Sequence, residues 1–93
     1  MITAIVLIDC ATDSIPEVAE ALADLPGVSE VYSVAGEWDL VAIVRVQDHE
    51  DLASVIPGGV AKVEGVERTE TLIAFQVYSK HDLEAMFSVG FED

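Results

Sequence analysis

The sequence predicts a small α+β domain whose four strands and two helices follow one another in the order βαββαβ. Three observations predict this fold class. Apolar runs rich in β-branched residues indicate strands, apolar residues at helical spacing indicate helices between them, and each predicted helix is followed by a glycine–valine pair and another strand. The pair stands at residues 27–28 and again at residues 65–66, so the chain looks like a doubled βαβ unit.

The first strand and first helix have clear boundaries. Residues 2–10 form a nearly continuous apolar run, which predicts a buried strand. Ser14 then predicts the N-cap of the helix, and Glu17 completes a capping box. The proline–glycine pair at residues 26–27 predicts its end.

The second and third strands are predicted to form a hairpin. Residues 28–35 read as the second strand, and strict alternation places Val28 on one face and Val31 on the other. Residues 36–39 look like a tight connection, and residues 40–46 are again strand-like. Two strands joined so closely pair in antiparallel fashion.

The second half repeats the pattern. Asp48 predicts the N-cap of the second helix, and the proline and glycines at residues 57–59 predict a break in it. Residues 69–78 predict the fourth strand, and residues 80–87 a short terminal helix. We divide the chain into a domain at residues 1–80 and a helical tail at residues 81–93. Right-handed crossovers then give a four-stranded antiparallel sheet with both helices on one face, the ferredoxin-like arrangement.

The hydropathy of the strands predicts self-association. Hydrophobic residues make up 52% of the chain, and three of the four strands are apolar on both faces. Two helices cover only one face of such a sheet. Either the terminal segment folds back over the other face or a second copy of the sheet covers it. One short helix is too small to cover four strands, so we expect a homodimer.

The charge excludes several partners. Eighteen acidic residues stand against four basic ones, for a formal net charge of −14. Such a chain repels nucleic-acid phosphates and anionic lipid surfaces, so we predict no direct nucleic acid and no membrane partner. A single cysteine cannot form an internal disulfide, and the N-terminal apolar run is too short to span a bilayer. We therefore predict a cytoplasmic protein.

The sequence shows no arrangement of residues that is typical of a catalytic site. His49 and His81 have no cysteine or second histidine at ligand spacing, so we predict no metal site. Cys10 has no adjacent basic residue, which favours a buried structural thiol over a nucleophile. The sequence shows no Ser-His-Asp order, phosphate loop or Cys-x-x-Cys pair. We therefore predict no enzyme activity and no cofactor.

Two features remain as candidate binding elements. Residues 36–39 place the only tryptophan between two acids in the hairpin loop. There Gly36 lets a ligand approach the backbone, and Asp39 is suited to an ammonium group. Thr69 and Thr71, at the start of the fourth strand, point to the same face. Ordinary turn and strand chemistry also explains both features.

Together, these segments resemble a known family. The pattern is Val-Tyr-Ser-Val-Ala-Gly-Glu-Trp-Asp-Leu at residues 31–40, Asp51-Leu52 followed by Ile56, and Gly-Val-Glu-Arg-Thr-Glu-Thr at residues 65–71. It resembles the effector domain of the leucine-responsive and asparagine-responsive regulators, the Lrp/AsnC family, which is also called the regulation-of-amino-acid-metabolism domain. The resemblance covers residues 1–80.

The resemblance implies a dimeric α/β-barrel assembly, commonly extended to octamers, that binds an amino acid or related metabolite between subunits. Gly36 and Asp39 match the family's loop positions, Thr69 and Thr71 match its polar strand positions, and Glu37 and Trp38 stand where the family varies. The implied ligand-binding set is Gly36, Glu37, Trp38, Asp39, Thr69 and Thr71. Family members carry a helix-turn-helix before this domain, whereas here the first strand begins at Ile2. We therefore expect a stand-alone sensing domain that lacks a DNA-binding module and acts alone or through full-length relatives.

Two other functions are compatible with the same topology. One is a small dimeric α/β-barrel enzyme, monooxygenase-like or isomerase-like, whose cavity would be lined by His81 or Tyr78. The other is an adaptor that assembles with relatives and binds no ligand.

Overall fold

The computed structural model describes residues 1–80, and the predicted tail at residues 81–93 lies outside them. The elements follow the predicted order, with two short 3₁₀ turns added. They are β1 (Ile2–Cys10), a 3₁₀ turn (Thr12–Ser14), α1 (Ile15–Ala23), β2 (Val28–Ser33), β3 (Leu40–Val46), α2 (His49–Val55), a second 3₁₀ turn (Val60–Lys62) and β4 (Val66–Ile73). The predicted helix at residues 80–87 falls almost wholly outside the described residues.

The sheet has the strand order β2-β3-β1-β4, and every neighbouring pair is antiparallel. This confirms the ferredoxin-like βαββαβ fold. The two halves interleave, so that β1 and β3 are central while β2 and β4 are the edges. As a result, β1 joins residues far apart in sequence, and Asp9 pairs with Arg68.

The core lies between the sheet and the helices. Alternate residues of β1 and β3 point to this helix side and are buried, while the residues between them are partly exposed. The helices contribute Val18, Leu22, Leu52 and Val55, and the second 3₁₀ turn contributes Val60. The opposite surface of the sheet carries no covering element within residues 1–80, and we call it the open face.

The second strand corrects one sequence prediction. Strict alternation placed Val28 and Val31 on opposite faces, but a bulge between Val28 and Glu30 inserts an extra residue. Val28 therefore pairs with Val44 and Val31 with Ala42, and both valines pack against the core. A single inserted residue reverses the facing of everything before it.

The helix starts also differ from expectation. The predicted capping box at Ser14 and Glu17 is wrong, because Ser14 makes no capping hydrogen bond and its hydroxyl donates to Asp13 instead. A 3₁₀ turn replaces it. The second helix keeps its predicted N-cap, where the backbone N–H of Asp48 donates to the Asp51 carboxylate over 3.1 Å. The expected break follows, since α2 ends at Val55.

The fourth strand is shifted from its predicted position at residues 69–78. It begins at Val66, directly after Gly65, and ends at Ile73. Its last residue, Ile73, pairs with Ala4, and one further hydrogen bond follows, from the N–H of Ala74 to the carbonyl of Thr3 over 2.9 Å. Gly65 has φ +99°, which glycine adopts readily, and its carbonyl accepts the N–H of Ala11 over 3.0 Å. This turn starts β4 beside the end of β1.

Candidate functional site

The loop between β2 and β3 is tied to the end of β1 through Asp39. The Asp39 carboxylate accepts the backbone N–H of Cys10 over 3.0 Å, and the Asp39 N–H donates to the carbonyl of Ile8, also over 3.0 Å. The Asp39 carbonyl accepts the N–H of Val34 over the same distance. The base of the loop is therefore fixed by three hydrogen bonds that all involve Asp39.

The tip of the loop is held by an arginine from β4. The Arg68 guanidinium donates to one Asp9 oxygen from Nη2 over 2.7 Å and from Nε over 3.1 Å. Its carbon lies 4.3 Å from the centre of the Trp38 ring, a cation–π distance. Nη2 is also 3.9 Å from a Glu37 oxygen. We call these four residues, Asp9, Glu37, Trp38 and Arg68, the Arg68 cluster.

Electrostatics favour the charged form of this arginine. The hydrogen bond to Asp9 raises the pKa of Arg68, and the nearby carboxylates of Asp9, Glu37 and Glu70 add to the effect. Two acids and one base leave the cluster with a net negative charge. It is therefore suited to a ligand that carries an ammonium group, with one guanidinium available to an anionic group.

The six predicted ligand-binding residues fall into two groups. Glu37 and Trp38 lie in the Arg68 cluster, Asp39 anchors the loop, and Gly36, with φ +131°, has nothing within 4 Å of where a Cβ would stand. The threonines lie on β4, where Thr69 pairs with Ile8 and Thr71 with Val6. Because β1 lies between β4 and β3, two strand spacings, about 10 Å, separate their backbone from the β3 end of the loop.

Alternation separates the threonines from the cluster in a second way. Along β4, Arg68 points to the open face, whereas Thr69 and Thr71 share the helix side with the buried residues of β1. One subunit thus brings four of the predicted residues to one end of β1 and leaves the two threonines beside it, on the opposite face. The assignment of the six residues as a ligand site stays a prediction.

Sequence reasoning did not single out Asp9 or Arg68. Each looks like an ordinary surface charge, and 59 positions separate them along the chain. Only the register of β1 with β4 brings them together. The scarcity of basic residues was one available signal. The chain has only four of them, so each is a candidate for a specific ion pair.

Cys10 is buried, as predicted for a structural thiol. Burial raises the pKa of the Cys10 thiol, and the negative charges of Asp39, Glu67 and Asp9 raise it further. The thiol is therefore protonated at neutral pH and a poor nucleophile.

Two cavities within residues 1–80 lie away from the loop. One of about 300 Å³ lies between α1 and residues 63–65, and one of about 210 Å³ lies beside Gly58 and Gly59. None of the six predicted residues lines either. Tyr78, a possible cavity residue of the enzyme alternative, is 80% exposed, and His81 lies outside the described residues. Within residues 1–80, no three His, Cys, Asp or Glu side chains are grouped to hold a metal ion.

The open face is apolar along its centre. Ile5 and Leu7 of β1 lie beside Ile43 and Val41 of β3, and all four are partly buried. Leu72 of β4 extends the patch, and it is 48% exposed. Beyond the end of β4, Phe75, Val77 and Tyr78 are also exposed.

The charges on this face are mostly paired. Arg45 lies 3.5 Å from Glu30, and Arg68 is bound to Asp9, which leaves Glu70 as the unpaired acid of the face among residues 1–80. Two of the four basic residues of the chain therefore lie on the open face, each against an acid. The open face is therefore closer to neutral than expected for a molecule of net charge −14.

Within residues 1–80, no helix combines the length and the apolar character that crossing a bilayer requires.

Comparison with known proteins identifies relatives. Residues 3–83 match the family described as the Lrp/AsnC ligand binding domain. An uncharacterised HTH-type transcriptional regulator of Pyrococcus furiosus is 41% identical over 76 residues, which cover 78% of this chain and 51% of that protein. The chain spans about half the length of the curated relatives it matches, or less.

Two solved structures show the likeness in three dimensions. A protein of Thermus thermophilus, TTHA0845, is 52% identical, with a TM-score of 0.80, and the match covers 86% of this chain and all of that one. A transcriptional regulator of Neisseria meningitidis, crystallised as a complex with L-Met, is 15% identical, with a TM-score of 0.74. That match covers 84% of this chain and 52% of the regulator, and at this identity it shows the fold alone.

Proposed function

The chain belongs to the Lrp/AsnC family, whose ligand-binding domain it contains, and on this premise we propose that it is a non-enzymatic sensor of an amino acid or related small metabolite in the cytoplasm. The proposal includes self-association through the open face and ligand binding at the β2–β3 loop. The relatives are named as transcriptional regulators. Co-assembly with a full-length regulator of the family, through the same face, is the route by which such a domain would influence transcription.

One observation carries the proposal, namely the loop residues gathered at the end of β1. Glu37 and Asp9 supply negative charge for an ammonium group, Trp38 supplies an apolar surface, and Arg68 supplies a cation. A zwitterionic amino acid presents the complementary set of groups. The L-Met complex of the Neisseria regulator supports the class of ligand, because that protein has the same fold.

The open face supports the shared-site part of the proposal. Thr69 and Thr71 lie on the helix side of β4, away from the Arg68 cluster, so the six residues do not close a pocket within one subunit. A second subunit against the open face would cover the Arg68 cluster and supply the walls that the cluster lacks, while the two threonines would stay on the helix side, outside that site. Ligand binding and assembly would then be coupled, and the ligand would favour the assembled state by its differential affinity.

Thermal unfolding with a panel of the twenty L-amino acids tests the sensing function. A ligand of the folded state at a hundred times its dissociation constant stabilises by about 2.7 kcal/mol, which raises the melting temperature by several degrees. We expect one amino acid or a chemically related group to do so. D-enantiomers of the active compounds serve as matched controls. If no compound in the panel shifts the melting temperature, the amino-acid proposal is wrong.

A further inference from the structure

The Arg68 cluster joins three segments that are distant in sequence: the end of β1, the β2–β3 loop and the start of β4. The loop has two anchors of different strength. Its base is fixed by the backbone and carboxylate of Asp39, whereas its tip meets the sheet through the Trp38 ring and the Glu37 side chain against Arg68. Glu37 is largely exposed and its separation from Arg68 is long, so the ring stacking is the closer link.

The guanidinium itself is oriented by two hydrogen bonds to one carboxylate. Two nitrogens of Arg68 donate to one oxygen of Asp9. These two bonds orient the plane of the guanidinium and therefore the surface on which Trp38 lies. Asp9 binds Arg68, and Arg68 in turn contacts the Trp38 ring. Asp9 therefore acts on Trp38 through Arg68. The open space around Gly36 gives the loop tip room to move when the ring is released.

We propose that Arg68 is a positioning residue that holds Trp38, and with it the tip of the β2–β3 loop, closed against the end of the sheet. A lysine at this position would keep the charge and lose the planar stacking surface, so the guanidinium is the functional feature. The functional consequence rests on the proposed function. If the loop binds a ligand, Arg68 determines whether the Trp38 ring is already in position when the ligand binds.

Trp38 is the only tryptophan in the chain, so tryptophan fluorescence reports on the surroundings of this one ring. The test compares acrylamide quenching and emission maximum in the ligand-free native protein and in Arg68→Gln, Arg68→Lys and Asp9→Asn. We expect the quenching constant to rise about twofold in Arg68→Gln, because an exposed cation–π contact of modest strength is lost. Arg68→Lys should give an intermediate value, and Asp9→Asn a smaller increase than Arg68→Gln.

Arg45→Gln is the matched control, since it removes the other arginine of the open face, which pairs with Glu30. Its quenching constant should equal that of the native protein. Circular dichroism and sedimentation at the same concentration verify that each variant keeps its fold and assembly. If Arg68→Gln does not fold, Arg68→Lys and Asp9→Asn carry the test.

A purely stabilising role for Arg68 would lower the melting temperature and leave the native-state quenching of Trp38 unchanged, and that result would overturn the proposal. Equal quenching changes in Arg68→Gln and Arg45→Gln would overturn it as well. The measurement needs no ligand. Its outcome is therefore separate from the amino-acid panel, whose failure would remove the sensing function and leave the fluorescence result intact.

Discussion

Truncating Leu72 to alanine is expected to weaken self-association, whereas the same change at the neighbouring Ile73 is not. The two residues are adjacent on β4 and nearly equally exposed, at 48% and 49%. They point to opposite sides of the sheet, because Leu72 pairs with Ile5 on the open face and Ile73 with Ala4 on the helix side. Ile73→Ala is therefore a control matched in exposure and position, and nearly in size.

The expected magnitude follows from the exposed fraction. Complete burial of a leucine side chain is worth roughly 1.5–3 kcal/mol, so the half that remains exposed is worth about 1 kcal/mol. A two-fold interface uses the residue twice, which gives about 2 kcal/mol for the dimer and a dissociation constant about thirtyfold weaker. Leu72→Asp should do more, because it brings a charge into the interface of a molecule that is already strongly acidic.

Sedimentation equilibrium over a hundredfold range of protein concentration measures the effect directly. The native protein and Ile73→Ala should give the same association constant, and Leu72→Ala a lower one. An equal loss in both variants would show that exposed apolar area in general, and not the open face, drives association. No loss in Leu72→Ala, or a native protein that sediments as a monomer, would refute the assembly proposed here.

Three further predictions concern stability. Gly65→Ala should lower the free energy of unfolding by roughly 2–5 kcal/mol, because residue 65 has φ +99° and a Cβ would stand 2.7 Å from Val18 Cγ2. Gly36→Ala should lower it by roughly 1–2 kcal/mol, from backbone strain alone. Urea unfolding of the two variants compares these losses. The raised pKa of Cys10 means that the folded state holds this proton more tightly, so stability should fall as pH rises above about 8.5, less steeply in Cys10→Ala, and equal pH slopes in calorimetry would contradict this reasoning. Raising NaCl from about 0.05 to about 0.5 M should increase the melting temperature, since salt screens the repulsion within a chain of net charge −14, and a decrease would mean that paired charges outweigh this repulsion.

Local patterns sufficed to predict most of the fold. The apolar runs of β1 and β3, the glycine at each helix–strand turn and the Asp48 cap all depend on neighbours within a few residues, and the structure has them in place. One local prediction, the capping box at Ser14 and Glu17, was wrong, and the other errors depend on pairing. The bulge after Val28 and the limits of β4 are set by what β3 and β1 offer across the sheet, which alternation within a single strand does not encode.

The candidate site also has a part that local sequence predicts and a part that depends on strand pairing. The loop at residues 36–39 is continuous in sequence and could be selected from its composition. Its link to Arg68 and Asp9 depends on a register that joins the two ends of the domain, so no local pattern contained it. The threonines of β4 were correctly placed on one face together, but which face they shared followed only from their pairing with β1.

The bulge in β2 also bears on the edges of the sheet. An edge strand that is regular and uncharged invites another strand to pair with it, and repeated pairing leads to fibres. The β2 edge is interrupted by its extra residue, and the β4 edge carries Glu67, Arg68 and Glu70 within four positions. Lateral growth is discouraged at both borders, which agrees with the proposed stacking of two sheets, a mode of contact that closes at a finite size.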